Sequence, residues 1–408
     1  MQLDAVRKRI DFEVRCGAGL LACPACGAAA QKVHDRLRRS WRHLDFFQFE
    51  AWLHADLPRV VCSGCGKTTQ LEVPWVRPSS GFTAAFEALA LALCRELPVR
   101  QAAKLLHCAD KPLWRRIEFY IAQARALESF AGVELIGIDK TSLRRGQRYI
   151  SVVHDLQAKR LLLPARGAAT RRCRTSWWIS RRIVGDPAQV RHICMDMSAA
   201  YTKGAALALP QAAISYDRFH VVALAIEAMD AVRRQELQDE PQAVQRTLQA
   251  AGPKARRQLM WGMRKNPAGC SAAQWQSMHS LQRSGLKSAR AWRLKMALRE
   301  VYARARAHND EAIARQELNA WLSWARRCRL APMQQLAQTL KTRLAGIVRG
   351  MLDHRSNALV ESINGLLQQA KRAAPGFRTA KHFIAVAYLR MSKLSNLPVN
   401  PMSPADAR

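Results

Sequence analysis

The chain has 408 residues, of which 49% are hydrophobic and 24% are charged, a composition that excludes a globally disordered chain and a collagen-like fibre. Lysine and arginine number 65 against 31 aspartate and glutamate residues, which gives a net charge of +34. Such an excess indicates a polyanionic partner, for which we expect double-stranded DNA, although the codon bias of a high-GC genome is an alternative explanation. The sequence has no membrane-spanning apolar run and no signal-peptide pattern, so we expect the protein to stay in the cytoplasm.

The first segment, residues 1–75, contains two cysteine pairs of the kind that binds a structural metal ion. Each pair has the spacing Cys-x2-Cys and is followed by glycine: Cys23, Cys26, Cys62 and Cys65. Two such pairs supply the four thiolates of a closed tetrahedral zinc site. Between them, residues 49–57 alternate apolar and polar side chains, which predicts a strand. We therefore predict a zinc ribbon with structural Zn²⁺; two unrelated cysteine pairs in a reduced protein are the alternative.

A linker rich in proline, serine and glycine leads to residues 82–130, whose apolar spacing is helical. Residues 97–106 and 111–120 predict two helices joined by a short turn, which is the order of a helix-turn-helix. Three basic residues of the second helix would then face a DNA groove: Lys111, Arg115 and Arg116. A plain pair of helices is the alternative interpretation.

Residues 131–221 show strands interleaved with helices, and two of the strands end in an acid, Asp139 and Asp196. Acids at the ends of adjacent strands can converge on a divalent cation, and a third acid normally completes such a site. Glu361 is the best candidate, because its helix combines an apolar stripe with a polar face. For each acid alone, a capping or solvated carboxylate is the alternative. Asp217 and His220 are second-tier candidates for the same site.

Three carboxylates suit Mg²⁺ or Mn²⁺, and two such ions roughly 3.5–4 Å apart promote in-line displacement at phosphorus. Between the second and third acids, residues 222–350 are helical in pattern. Their tryptophans are expected to be core: Trp261, Trp275, Trp292, Trp321 and Trp324. Three cations of the closing segment, residues 351–392, can hold a DNA backbone or can simply be solvated: Lys371, Arg372 and Arg378. The tail, residues 393–408, is predicted to be disordered.

These motifs together resemble the ISL-three family of bacterial insertion-sequence transposases, from about residue 20 to residue 392. The resemblance rests on the cysteine pairs, the helix-turn-helix and these blocks in family order: Ile-Gly-Ile-Asp139, Met-Asp196-Met-Ser, Tyr-Asp217-Arg-Phe-His220-Val, Arg233-Arg234 and Asn-Ala-Leu-Val-Glu361-Ser-Ile-Asn. It implies an α/β, RNase-H-like catalytic domain with an all-helical insertion, preceded by the zinc ribbon and helix-turn-helix. It also implies the catalytic triad Asp139, Asp196 and Glu361, with transposition by cutting element ends and joining them to target DNA.

The sequence departs from the family pattern at Lys140, Ser362 and residues 165–183. Lys140 follows Asp139 where the family commonly has an acid, so it either lowers metal affinity or holds a phosphate. Ser362 replaces a common glycine, which is a mild change. Residues 165–183 carry six arginines and no acid where an amphipathic helix is expected. A basic loop that touches DNA is one explanation, and a pair of compensating frameshifts in a decayed gene is another.

The leading interpretation is a DNA transposase that binds terminal inverted repeats and target DNA as a homodimer or larger assembly, and cleaves and transfers strands with Mg²⁺ or Mn²⁺. A catalytically decayed transposase or end-binding repressor would keep the zinc ribbon and helix-turn-helix and lack strand cleavage. A repair or recombination nuclease with the same fold would cut DNA without joining it.

Overall fold

The protein is described by a computed structural model that covers residues 1–15, 20–29, 31–144, 148–166, 187–250, 254–353, 358–374 and 376–402. These residues form two compact units. The first unit combines residues 1–128 with residues 367–408, and the second comprises residues 129–366. The C-terminal part of the segment predicted as 351–392 therefore belongs to the unit that contains the N-terminus.

Strands and helices are numbered here in chain order. The strands are β1 (Gln2–Asp4), β2 (Arg9–Val14), β3 (Leu20–Leu21), β4 (Gln31–Arg42), β5 (Glu50–Val61), β6 (Thr68–Gln70), β7 (Leu135–Arg144), β8 (Arg148–Asp155), β9 (Arg160–Arg166), β10 (His192–Met195) and β11 (Ala213–Tyr216). The helices are α1 (Ala84–Glu96), α2 (Val99–Leu105), α3 (Asp110–Ala126), α4 (Ala199–Ala208), α5 (Arg218–Asp239), α6 (Pro241–Ala250), α7 (Ala255–Arg264), α8 (Ala272–Gln282), α9 (Lys287–His308), α10 (Glu311–Arg327), α11 (Ala331–Lys341), α12 (Leu344–Leu352), α13 (Ala358–Ala373) and α14 (Ala380–Met391).

The first unit is built on a sheet whose centre is the long antiparallel pair β4 and β5. The strand order is β1-β2-β5-β4-β3, and β6 pairs with β5. The alternation that predicted a strand at residues 49–57 is confirmed, because Ala51, Ala55 and Leu57 of β5 are buried. β2 runs parallel to β5, a pairing between distant segments that the local cysteine pattern does not predict.

Helices α1, α2 and α3 follow the sheet in the first unit, and α1 and α3 pack on the C-terminal helix α14. Thr83 caps α1, because its side chain accepts a hydrogen bond from the backbone N–H of Phe86. On α3, Leu113, Ile117 and Ile121 repeat every four residues and form the buried stripe. Lys111 and Arg115 lie outside this stripe and are exposed.

The second unit contains a five-stranded sheet of order β11-β10-β7-β8-β9. β7, β8 and β9 form an antiparallel meander, and β10 and β11 are added in parallel to β7. The parallel strands are short and apolar, and Ile136, Ile193 and Met195 are fully buried in the sheet. This arrangement confirms the predicted RNase-H-like α/β core.

The helices α5 to α12 follow the last strand and confirm that residues 222–350 are helical. Trp292 and Trp321 are buried there as predicted, but the prediction is wrong for Trp261, Trp275 and Trp324, which are 41–45% exposed. Leu, Ala and Met make up most of the buried side chains of these helices.

Helix α12 packs against the sheet with two glycines, Gly346 and Gly350. These lie four residues apart and so share one helix face. A Cβ atom at Gly350 would lie 2.2 Å from the carbonyl oxygen of Tyr216, and one at Gly346 would lie 2.6 Å from the Tyr216 ring. Only glycine allows this approach of helix α12 to strand β11. The contact positions the end of β11, where the candidate site begins.

Residues 393–402, the described part of the predicted disordered tail, have neither helix nor strand, and residues 403–408 lie outside the described residues. Among the helices that the structure describes, none combines the length and the apolarity that crossing a membrane requires.

Candidate active site and metal centres

Three aspartates lie side by side at one edge of the sheet in the second unit. Met195 of β10 is in register with Ile138 of β7 and with Tyr216 of β11. The residue after each of these three is an aspartate, namely Asp196, Asp139 and Asp217. Strands β10 and β11 end just before their aspartates, but β7 does not end at Asp139 as predicted, because its pairing with β8 continues to Arg144. Because all three strands are parallel, their carboxylates share one edge, as the sequence pattern predicts for Asp139 and Asp196.

Backbone amides and nearby side chains orient these carboxylates. The backbone N–H of Lys140 donates to Asp139 Oδ1 at 2.6 Å, and that of Ser198 donates to Asp196 Oδ1 at 2.9 Å. Asp217 is the N-cap of α5, accepting from Phe219 N–H, and its other oxygen lies 3.0 Å from His220 Nδ1. Both oxygens of Asp217 are thus engaged within its own turn, where they hold the start of α5 and the ring of His220.

Asn364 of helix α13 lies against the same edge, and sequence reasoning did not assign it to the site. Its amide nitrogen donates a hydrogen bond to Asp139 Oδ2. Its amide oxygen is buried and has no hydrogen-bond partner among the residues that the structure describes. Asn364 follows Glu361 by three residues, so it belongs to the polar face predicted for this helix, and that face was the signal that could have found it.

Electrostatics at this edge favour a bound cation. Burial raises the pKa of Asp139, and the neighbouring carboxylates of Asp196 and Asp217 raise it further. The hydrogen bond to Asp217 raises the pKa of His220, and the charges of all three aspartates act in the same direction. Positive charge lowers the repulsion between buried carboxylates. The three aspartates therefore attract the side chain of His220 or Lys140, or a metal ion.

Lys140 already supplies one positive charge to the edge. Its ammonium lies 3.3 Å from Asp196 Oδ2 and 4.7 Å from the centre of the Tyr201 ring. Tyr201 is buried, and its hydroxyl is hydrogen bonded to Ser151 on β8. The Lys140 ammonium therefore lies over the ring of Tyr201, which the hydrogen bond to Ser151 holds in place, and contacts Asp196, one of the predicted metal ligands.

Two predicted features fall outside the described residues. The backbone of Glu361 belongs to α13, three residues before Asn364, but its side chain is not among those described. Of the unusual segment 165–183, the structure describes only the end of β9, to residue 166.

The donors at this edge suit a hard divalent cation. Mg²⁺ and Mn²⁺ prefer oxygen ligands, which here are the carboxylates of Asp139 and Asp196. The buried, unpartnered amide oxygen of Asn364 is a further oxygen donor beside Asp139. The residues present therefore fit the metal that the sequence predicts.

The four cysteines of the first unit form a second candidate centre. The sulfur atoms of Cys23, Cys26, Cys62 and Cys65 lie within 4.8 Å of one another. Those of Cys23 and Cys65 are 3.9 Å apart, and those of Cys26 and Cys62 are 3.5 Å apart. Tetrahedral Zn²⁺ with bonds of about 2.3 Å requires sulfur separations of about 3.8 Å. The cluster has the size and donor set of a structural zinc site.

The two cysteine turns have the same local geometry. Gly27 and Gly66 have φ of 74° and 69°, a conformation that favours glycine, and each donates its N–H to the carbonyl of the first cysteine of its pair at 2.9 Å. Hydrogen bonds, the strongest of them from the backbone N–H of Ala25, lower the pKa of the Cys23 thiol to about 6, which favours the thiolate that binds zinc. At Cys26 the backbone hydrogen bond from Ala28 lowers the pKa, but hydrogen bonds with Cys62 and burial outweigh it and raise the pKa of that thiol.

The predicted DNA-binding residues of α3 divide into two groups. Lys111 and Arg115 are exposed. Arg116 is only 15% exposed, and its guanidinium forms an ion pair at 2.9 Å with the fully buried Glu87 of α1. Arg77 also pairs with Glu87. Arg116 therefore fixes α3 to α1 and is not directed to a groove, which corrects its predicted orientation.

The three basic residues of the closing segment that are predicted to hold a DNA backbone lie in the first unit: Lys371, Arg372 and Arg378. Arg372 and Arg378 are exposed, whereas Lys371 is partly buried, and this burial lowers its pKa.

Comparison with known proteins gives a consistent family over most of the chain. A family model described as a transposase matches residues 136–387. A second family model, described as the zinc-finger of transposase IS204/IS1001/IS1096/IS1165, matches residues 21–65. A third, described as the helix-turn-helix domain of transposase family ISL3, matches residues 71–121.

Two curated relatives extend over nearly the whole chain. The transposase for insertion sequence element IS1557 of Mycobacterium tuberculosis is 30% identical over 399 residues, which is 92% of this chain and 86% of the relative. The transposase for insertion sequence element IS1001 of Bordetella parapertussis is 25% identical over 378 residues, or 90% and 87% of the two chains.

Proposed function

The chain belongs to the ISL3 family of transposases, and on this premise we propose that it binds the terminal inverted repeats of its insertion sequence and catalyses metal-dependent strand cleavage and strand transfer. The reaction would take place on DNA in the cytoplasm, at the nucleoid. A homodimer or larger assembly would hold two element ends together.

One observation carries the catalytic part of the proposal: the amide of Asn364 is bound to Asp139 at the edge that Asp196 shares. This hydrogen bond brings helix α13 to the acids. Residues three apart lie on the same helix face, so Glu361 is expected one turn from Asn364 on that face. We therefore propose Asp139, Asp196 and Glu361 as the catalytic acids, with Asp217 holding the start of α5 and His220.

Asp139, Asp196 and Glu361 would hold two Mg²⁺ or Mn²⁺ ions. Such ions supply an activated water or 3′-hydroxyl and stabilise the leaving oxygen of an in-line displacement at phosphorus. Asn364 would keep the Asp139 carboxylate in its orientation, and the Ser198 backbone amide would do the same for Asp196. Because cleavage and strand transfer are both displacements at phosphorus, one site can serve both.

The test is incubation of the zinc-loaded protein with labelled DNA that carries the element's own ends, in Mg²⁺ or Mn²⁺. We expect 3′-end cleavage and joining to target DNA, and loss of both in Asp139→Asn and Glu361→Gln. Specific binding of the ends with no cleavage in the unaltered protein would refute the catalytic proposal and favour a decayed transposase or repressor. Cleavage without joining or end preference would favour a nuclease.

The DNA-binding part of the proposal rests on the exposed cations of α3. Lys111→Ala and Arg115→Ala are each expected to weaken binding to all sequences and to lower the salt slope by about 0.9 for each DNA phosphate that the variant no longer neutralises. Arg116→Ala is the matched comparison, because Arg116 is bound to Glu87. It is expected to destabilise the unit. A reduced salt slope in a stably folded Arg116→Ala variant, with none for Lys111 and Arg115, would contradict the assignment.

A further inference from the structure

A lysine of the chain itself lies beside one of the predicted metal ligands. Lys140 follows Asp139 on β7, and its ammonium lies 3.3 Å from Oδ2 of Asp196. The side chains of Lys140 and Asp196 are 30% and 15% exposed, so solvent only partly weakens their attraction.

Both oxygens of Asp196 are engaged in this arrangement. Oδ1 accepts the backbone N–H of Ser198 at 2.9 Å, and Oδ2 faces the ammonium of Lys140. A divalent ion that binds Oδ2 would share that oxygen with a positive charge a few ångströms away, and like charges at that distance repel strongly. Binding of the metal by Asp196 therefore requires the ammonium to move.

The position of the ammonium does not depend on Asp196 alone. It also lies 4.7 Å from the ring centre of Tyr201, whose hydroxyl bonds to Ser151. Ser151 pairs with Lys140 across β7 and β8, so the lysine stem, the serine and the tyrosine lie on the same side of the sheet. The chain thus holds the ammonium beside Asp196 through an aromatic contact as well as a charge.

We propose that Lys140 is a tethered competitor of the catalytic metal, occupying the Asp196 side of the site when no metal is bound. The chain then binds divalent metal more weakly than its carboxylates alone would. The inference rests on the proposed function, since it takes Asp196 to be a metal ligand.

The experiment is a titration of the zinc-loaded, DNA-free protein with Mn²⁺, in which electron paramagnetic resonance measures free Mn²⁺. Removal of the charge in Lys140→Met is expected to tighten Mn²⁺ binding by about tenfold or more. Lys140→Gln removes the same charge with a polar side chain and is expected to agree, which guards against a folding defect in the first variant. Lys140→Arg keeps the charge and is expected to bind Mn²⁺ about as weakly as the unaltered protein.

Two further variants make the result specific. Lys159→Met removes the same charge at the β8–β9 turn, beside the opposite end of β7, and is expected to change Mn²⁺ affinity by less than about twofold because exposed distant charges are screened. Asp196→Asn is expected to abolish the gain seen in Lys140→Met when the two are combined. Circular dichroism confirms that each variant is folded.

Equal or weaker Mn²⁺ binding in both charge-removing variants would overturn the inference. If the unaltered protein still cleaved DNA in that case, the proposed function would stand without it. Equal tightening by Lys159→Met would also overturn it, because the effect would then come from net charge. If no variant bound Mn²⁺ and no DNA were cleaved, both the inference and the proposed function would fail.

Discussion

Replacement of Gly350 by alanine tests the packing that positions the end of β11. The new Cβ would lie 2.2 Å from the carbonyl oxygen of Tyr216, whereas ordinary contact begins at 3.4 Å, so helix or strand must move by 3.4 − 2.2 = 1.2 Å. The obstacle is a backbone atom of a buried parallel strand, which cannot rotate away as a side chain can. The Tyr216 carbonyl immediately precedes Asp217, so the strain falls beside the acidic edge.

The expected free-energy change combines two opposing effects. Alanine in a helix is favoured over glycine by about 1 kcal/mol, and overpacking of this kind costs about 1–3 kcal/mol, occasionally more. We expect Gly350→Ala to lower the free energy of unfolding by up to about 2 kcal/mol. For a unit of this size, each kcal/mol corresponds to about 2–4 °C in Tm.

Gly365→Ala provides the matched control, since a Cβ at Gly365 of α13 would meet nothing within 4 Å. The same substitution is expected to stabilise the chain there by about 0.5–1 kcal/mol. Urea unfolding followed by circular dichroism, with the melting temperature as a second measure, compares the two variants. If Gly350→Ala were as stable as Gly365→Ala, the close approach of α12 to β11 would be wrong.

Three further predictions concern individual side chains. Burial lowers the pKa of His154 to about 4. Between pH 6.5 and 4 the unfolded chain therefore binds a proton that the folded chain does not, and the free energy of unfolding falls by about 2–3 kcal/mol as the pH is lowered. Urea midpoints at pH 7 and 4.5 should show a smaller loss of stability in His154→Met than in the unaltered protein, and an equal loss would disprove the prediction. Cys65→Ser should abolish stoichiometric zinc binding and lower the stability of the sheet, measured by metal analysis and thermal melting, while Cys270→Ser, outside the cluster, should change neither. Asn364→Leu should reduce DNA cleavage by about tenfold or more and leave end binding intact in a mobility-shift assay, because it frees the Asp139 carboxylate. Gln369→Leu, at an exposed position of α13, should cleave normally, and equal losses in both variants would point to a general helix defect.

The features that sequence predicted well are those with a local physical cause. A Cys-x2-Cys-Gly pair already contains the two ligands and the glycine turn, so the sulfur cluster follows once the two pairs meet. The apolar run before each acid likewise predicts a strand, although β7 continues past Asp139 to Arg144. Asp139 and Asp196 become neighbours because β7 and β10 are parallel and in register up to Ile138 and Met195.

The features that sequence reasoning missed depend on partners far along the chain. Arg116 carries the charge expected on a DNA-facing helix, but Glu87 of another helix binds it, and no local pattern reveals that ion pair. The contact between Asn364 and Asp139 and the pairing of Lys140 with Asp196 are also long-range. The exposed tryptophans were misjudged because helical spacing does not show which face is covered.

The hydrogen bond between Asp139 and Asn364 joins residues 225 positions apart, and this separation has a consequence for how the molecule is made. Ribosomes add about 5–20 residues per second, so about 10–45 s pass between the synthesis of the two partners. The zinc ribbon and the helix-turn-helix are synthesised before that interval begins. A chain terminated before residue 358 would contain the sequences of both domains but would lack helix α13, which contacts Asp139, and helix α14, on which α1 and α3 pack. The acidic site and the first unit are therefore both completed late in translation.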